Sequence, residues 1–152
     1  MISPKDTVKE VSETILGFLG VSADVSLEQK ENSIEVIISG TKDSGILIGY
    51  RGETLKALQH IIRLLVFSKL GEETPAIIVD VEGYRKQEEE KLKVYVQKMA
   101  ELVKKTGQEE TLSPMSSYKR RLIHTYVSEI NGVKTESQGE GQDRRIIISP
   151  EK

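Results

Sequence analysis

The chain has 152 residues, of which 37% are hydrophobic and 30% charged, with a net charge of −2 and no cysteine. That length suits one ordinary domain or two small ones. The missing cysteine excludes disulfide frameworks, thiolate chemistry and cysteine-ligated zinc, and a slightly acidic chain is no indiscriminate polyanion binder.

The charge is uneven: −3 over residues 1–42, +2 over 43–70, −4 over 71–83, +3 over 84–106 and 0 thereafter. A nucleic-acid site would therefore be local, and the basic excess around "GYRG" is one candidate. The start, "MISPKDTVKE", has no signal-peptide hydrophobic region. The longest apolar run, "IIRLLVF", is broken by Arg63 and is too short to span a bilayer. These features predict a cytoplasmic protein.

Ser3 and Pro4 read as N-cap and first helical position, with Asp6 three residues after the cap. Val8, Val11, Ile15, Phe18 and Leu19 recur at helical spacing until Gly20 stops the run. The alternating "ADVSLEQK" follows, then "SIEVIIS", whose Ile34, Val36 and Ile38 share a strand face. "DSGILIG" reads as a short helical turn. The spacing predicts a long helix over 52–70 with a core stripe of Leu55, Leu58, Ile62 and Leu65, widened by Ile61 and Val66. Lys56, Gln59, His60 and Arg63 fall on its other side. Pro75 opens "AIIVDVE", a strand with Ile77, Val79 and Val81 on one face.

Gly83 reads as a boundary. "YRKQEEEK" is too charged to be buried and reads as a solvated helical lead-in. Leu92, Tyr95, Val96, Met99, Leu102 and Val103 then set a helical stripe, with Lys104, Lys105 and Gly107 suiting its C-terminus. "ETLSP" reads as a short strand and 116–130 as a third strong helix. "GVKTESQG" and "DRRIIIS" make a hairpin around "QGEGQ". The fold class is α+β in two small domains, 1–82 (α-β-β-α-α-β) and 83–152 (α-β-α-β-β).

Two motifs carry chemistry. In "GILIGYRGETLKALQ" a Gly-x-x-Gly loop joins a short apolar helix to a long amphipathic one. Helix starts there offer free N–H groups and a positive dipole end, a seat for phosphate. Gly49, Tyr50, Arg51, Gly52 and Lys56 are the candidate contacts. The motif resembles a KH core of the bacterial type II arrangement, whose glycine loop clamps about four nucleotides of a single strand. In "YKRRLIHTYVSEI" the apolar arc is Leu122, Ile123, Tyr126, Val127 and Ile130, with Arg120 and His124 four apart on the opposite side and Arg121 widening that polar face. With "LSPMSS" before it and "VKTESQGEG" and "RRIII" after it, this resembles the R-three-H domain, named for Arg-x-x-x-His. The resemblance implies phosphate contacts for Arg120 and His124.

The pairing resembles the bacterial Jag family, also called KhpB, EloR or SpoIIIJ-associated protein, over residues 3–150. The resemblance implies single-stranded RNA as partner, with single-stranded DNA as the alternative, in post-transcriptional regulation linked to cell elongation or division. It also implies contact with a small KH-domain protein or with a second copy. Longer members carry an N-terminal domain and linker with no counterpart in this sequence, so that region's roles are not carried over. No enzyme, metal or cofactor is expected. His60 and His124 fall in different predicted domains, and no catalytic lysine or carboxylate aligns with either. The competing expectation is a protein-interaction module that dimerises through its KH domain.

Overall fold

The computed structural model describes residues 3–151, and the first of these, Ser3, is already a helix cap. Its hydroxyl accepts a hydrogen bond from the Asp6 amide (3.2 Å) and donates one to the Asp6 carboxylate (2.7 Å), and Pro4 supplies the pre-set φ of a first helical residue. Helix α1 (Pro4–Phe18) buries Val8, Val11 and Leu16. The expected stripe ran on through Phe18 and Leu19, but these are 88% and 57% exposed. The physical reason is the C-terminal turn. Gly20, at φ 69, donates to the Gly17 carbonyl while Val21 donates to that of Leu16, a hydrogen-bond pair that ends the helix and turns Phe18 away from the core.

Strands β1 (Asp24–Lys30) and β2 (Ser33–Ser39) form an antiparallel hairpin, and β2 pairs in parallel with β3 (Ala76–Val81). The crossover between β2 and β3 carries α2 (Ser44–Ile48) and α3 (Glu53–Leu70). Ile34, Val36, Ile38, Ile77, Val79 and Val81 share the buried side of this sheet, as their alternation requires. Helix α3 meets that face through Leu55, Leu58, Ile62 and Val66. Leu65 and Ile61, expected in the stripe, are 43% and 47% exposed. In the run Leu64-Leu65-Val66-Phe67 every phase of the helix is apolar, so the packing partner alone selects Val66.

The second core belongs to α4 (Tyr84–Thr106), β4 (Glu110–Thr111), α5 (Ser117–Ser128), β5 (Val133–Gln138) and β6 (Arg145–Pro150), the strands ordered β4-β6-β5 and all antiparallel. Val96, Ala100 and Val103 of α4 pack with Ile123 and Val127 of α5 and with Ile146 and Ile148 of β6. Leu92 and Met99 are only partly buried, and Tyr95 and Leu102 are exposed. The smaller Ala100 takes the place that the sequence pattern assigned to them. The chain divides into two compact units between Arg85 and Lys86, within the first turn of α4. The start of α4 is therefore no free solvated lead-in: Tyr84 packs on the first core, and the Arg85 amide donates to the nearly buried Asp80 carboxylate (3.1 Å).

Candidate nucleic-acid interface

Helix α2 ends at Gly49, whose amide donates to Gly45 (2.9 Å) and whose φ is 68. Tyr50–Gly52 make a single tight turn in which Arg51 (φ 52, ψ 27) and Gly52 (φ 77, ψ 15) are both left-handed. Such a path needs glycine wherever a Cβ would also collide. A Cβ on Gly49 would overlap the Thr54 side chain, and one on Gly52 would come within 2.9 Å of the Tyr84 ring. Gly52 is thus seated on Tyr84, and it opens α3 without any side-chain cap. Within the turn the Gly52 amide donates to the Gly49 carbonyl (3.3 Å) and the Glu53 amide to that of Tyr50, so the helix start offers an outside partner chiefly the positive end of its dipole.

Tyr50 is 72% exposed, and the Arg51 guanidinium lies 5.1 Å from its ring centroid. Lys56 is exposed on the following turn. The structure therefore brings Gly49, Tyr50, Arg51, Gly52 and Lys56 to one end of α3, beside the single carboxylate of Glu53 in its first turn. An aromatic face and a cation at the positive end of a helix can stack a base and hold a phosphate.

One wall beside the loop was not visible in sequence. Strand β3 lies at the edge of its sheet. The Val79 amide donates to Gln59 Oε1 (2.9 Å), and the Val79 carbonyl accepts from Arg85 Nε (3.1 Å). Arg85 Nη2 closes the ring by donating to the same Gln59 oxygen (2.7 Å). Farther along α3, His60, Arg63, Leu64 and Phe67 face Pro75 and Ala76 across a concavity of about 470 Å³. In sequence Gln59 reads only as a polar helix position, and Tyr84 and Arg85 as part of a charged, solvated run. The one available sequence signal was Asp80 placed to cap a helix starting just after Gly83.

In the second unit α5 is capped by Ser116, whose hydroxyl accepts from the Lys119 amide. Arg120 and His124 are half-buried. Arg120 Nη1 donates to the Met115 carbonyl (2.6 Å), and His124 Nδ1 is 2.6 Å from Thr135 Oγ1 on β5. The Met115 amide donates to the Arg144 carbonyl (3.2 Å), and Arg144 Nε donates to Ser137 Oγ (2.8 Å). Arg120, His124 and Arg144 thus join one polar seam with Thr135 and Ser137, which share a face of β5. Arg144 was missed because nothing local ties the hairpin to α5. Arg121 is exposed and turned about 100° round the helix from Arg120, outside this seam.

Two family models match the chain: the KhpA/KhpB KH domain over residues 5–78 and the R-three-H domain over residues 90–150. The RNA-binding protein KhpB of Bacillus subtilis is 33% identical over 97% of this chain and 71% of its own length. The chain belongs to the KhpB family. Proteins of that name from Clostridium symbiosum and Streptococcus pneumoniae are 34% and 31% identical, over 95% and 91% of this chain. The chain spans 65% and 42% of those two KhpB proteins. Neither family model reaches residues 79–89, which hold Tyr84 and Arg85.

Proposed function

We propose that this chain is a cytoplasmic RNA-binding protein that grips single-stranded RNA at two places, its role being binding and not catalysis. The loop at 49–52 with Lys56 forms one grip, and Arg120 and His124, flanked by Arg121, form the other. The observation that carries this reading is the loop itself. Its glycines let the chain turn tightly against Thr54 and Tyr84, while Tyr50 and Arg51 are displayed outward. A stacked aromatic contributes about 1–3 kcal/mol per base without sequence preference, and the name carried by the KhpB relatives agrees. The resemblance to the Jag family extends the proposal to post-transcriptional regulation linked to cell elongation or division. Crosslinking in cells and sequencing of the bound RNA tests that extension.

The direct test replaces Tyr50 and Arg51 together by aspartate in the full chain. Binding to a short single-stranded RNA is expected to fall by roughly 100-fold, because two carboxylates there repel phosphate, with circular dichroism unchanged. Undiminished affinity sinks the KH grip. Single-stranded DNA run in parallel decides which nucleic acid is preferred.

A second reading has an observation of its own. Ile61, Leu64, Leu65 and Phe67 of α3 are each more than 40% exposed, an apolar helix face that a second KH domain, from a small KH protein or another copy, would cover. Sedimentation of wild type against Leu64→Glu separates the readings: a dimer lost without loss of RNA affinity assigns that face to protein contact alone.

A further inference from the structure

The alternation of strand β3 fixes what its open edge presents. The Ala76 amide donates to Asn32 and the Glu82 amide to Ile38, so even-numbered residues turn toward β2. Ile77, Val79 and Val81 then turn their backbone groups toward the unpaired edge. Among the described residues only Val79 has that edge closed by side chains, those of Gln59 and Arg85.

Arg85 is unusual in how it is held. Its guanidinium is fixed by two neutral acceptors, the Val79 carbonyl and the Gln59 amide oxygen. No carboxylate pairs with it among the described residues. Asp80, the acid beside it, accepts from its backbone amide. Of the five N–H groups of an arginine, Nε and one on Nη2 are engaged; the others have no partner among the described residues, and the residue is exposed. A purely structural arginine gains most from an anionic partner. This one is oriented yet keeps its charge. It also follows Tyr84, whose ring supports Gly52 of the loop.

We propose that Arg85 is a further nucleic-acid contact, a pre-positioned cation that takes a phosphate of the single strand as it leaves the glycine loop along the edge of β3. This rests on the RNA-binding reading and extends its first grip to a residue that lies beyond the matched KH segment. The clasp lowers the ordering cost of a long side chain, because Gln59 and Val79 hold the fork before the strand arrives.

The test compares wild type, Arg85→Met and Arg85→Lys in the full chain, with the Tyr50→Asp/Arg51→Asp form as reference. Each is titrated against a randomised single-stranded RNA pool of about 12 nucleotides at several salt concentrations. Each phosphate contact on a single strand contributes about −0.7 to the slope of log affinity against log salt. Arg85→Met is expected to flatten the slope by about that amount and to weaken binding roughly tenfold at low salt. Arg85→Lys keeps the charge but not the clasp and should recover most of the slope. In wild type, phenylglyoxal modification of Arg85, followed by peptide mass spectrometry, should slow when RNA is bound. That readout needs no variant to fold. If the loop variant loses binding while Arg85→Met keeps affinity and slope and RNA gives no protection, Arg85 is a structural staple and this inference is overturned while the RNA reading stands. If neither variant loses binding, both are overturned.

Discussion

The two candidate grips hold their cations in opposite ways. Arg51 stands on a turn, exposed, with its guanidinium 5.1 Å from the Tyr50 ring centroid. Arg120 is half-buried and already donates to the Met115 carbonyl, in a seam that continues through Arg144 and Ser137. The first side chain is free to follow a ligand. The second would have to bind with its remaining donors or break a bond inside its own unit. The loop is therefore a site whose function and stability are separable, whereas the helix site mixes the two. A mutation at Arg120 cannot be read as loss of charge alone.

The sharpest way to break this contrast is at the loop's own support. Gly52→Val places a branched side chain at φ 77 and against the Tyr84 ring. Left-handed strain and overpacking together should cost about 2–4 kcal/mol. Urea denaturation should show the loss in the unit containing α3 only; loss of both cores in one transition would mean that the units fold as one. Next in size is Arg120→Ala. It removes a charge-assisted hydrogen bond from the seam and should lower the stability of the second unit by about 1–2 kcal/mol. It should also flatten the salt slope for single-stranded RNA by about 0.7. A stability loss with an unchanged slope would make Arg120 structural, and the contrast between the grips would become one between a binding site and a brace.

Arg51→Ala is expected to weaken RNA binding several-fold with thermal unfolding within ±0.5 kcal/mol of wild type, as for other exposed substitutions. An equal loss of stability would remove the separability claimed for the loop. The smallest effect lies far from both grips. Lys30 on β1 pairs with Glu35 on β2 at 2.8 Å, and that hydrogen bond and charge hold the lysine pKa above its ordinary value. A raised folded pKa means the contribution is present below the unfolded value and fades as pH rises through the folded one. The slight gap in melting temperature between wild type and Lys30→Met at pH 7 should therefore close above about pH 10. RNA affinity near pH 7 should be close to unchanged.

What was legible in the sequence follows the same division. The element order of both units could be read, because alternation in β2 and β3 and helical spacing in α3 and α5 are local signals. The glycine loop was legible because glycine identity reports backbone conformation directly. The helix faces were read less well. Leu16 replaces Phe18 in the core and Val66 replaces Leu65, since adjacent apolar residues leave the phase of a helix to its partner. The seam of the second unit was half legible. Arg120 and His124 are marked by spacing, but their orientation depends on Thr135 and Met115, and only the folded chain brings Arg144 beside them. Arg85 was hidden for a related reason: its partners Gln59 and Val79 are 26 and 6 residues away, and in a charged run one arginine looks like the next.

Arg51 is one of two non-glycine residues with positive φ among those described. An L-residue in that region sits roughly 1–2 kcal/mol above its preferred conformations, and glycine does not. For folding alone, "GYGG" would be the better turn. The arginine makes this loop one where thermal selection and ligand selection pull in opposite directions. A screen for heat-stable variants is then expected to enrich glycine or asparagine at position 51 while discarding the charge. Engineering this chain for stability would thus erode the first grip unless binding is selected at the same time.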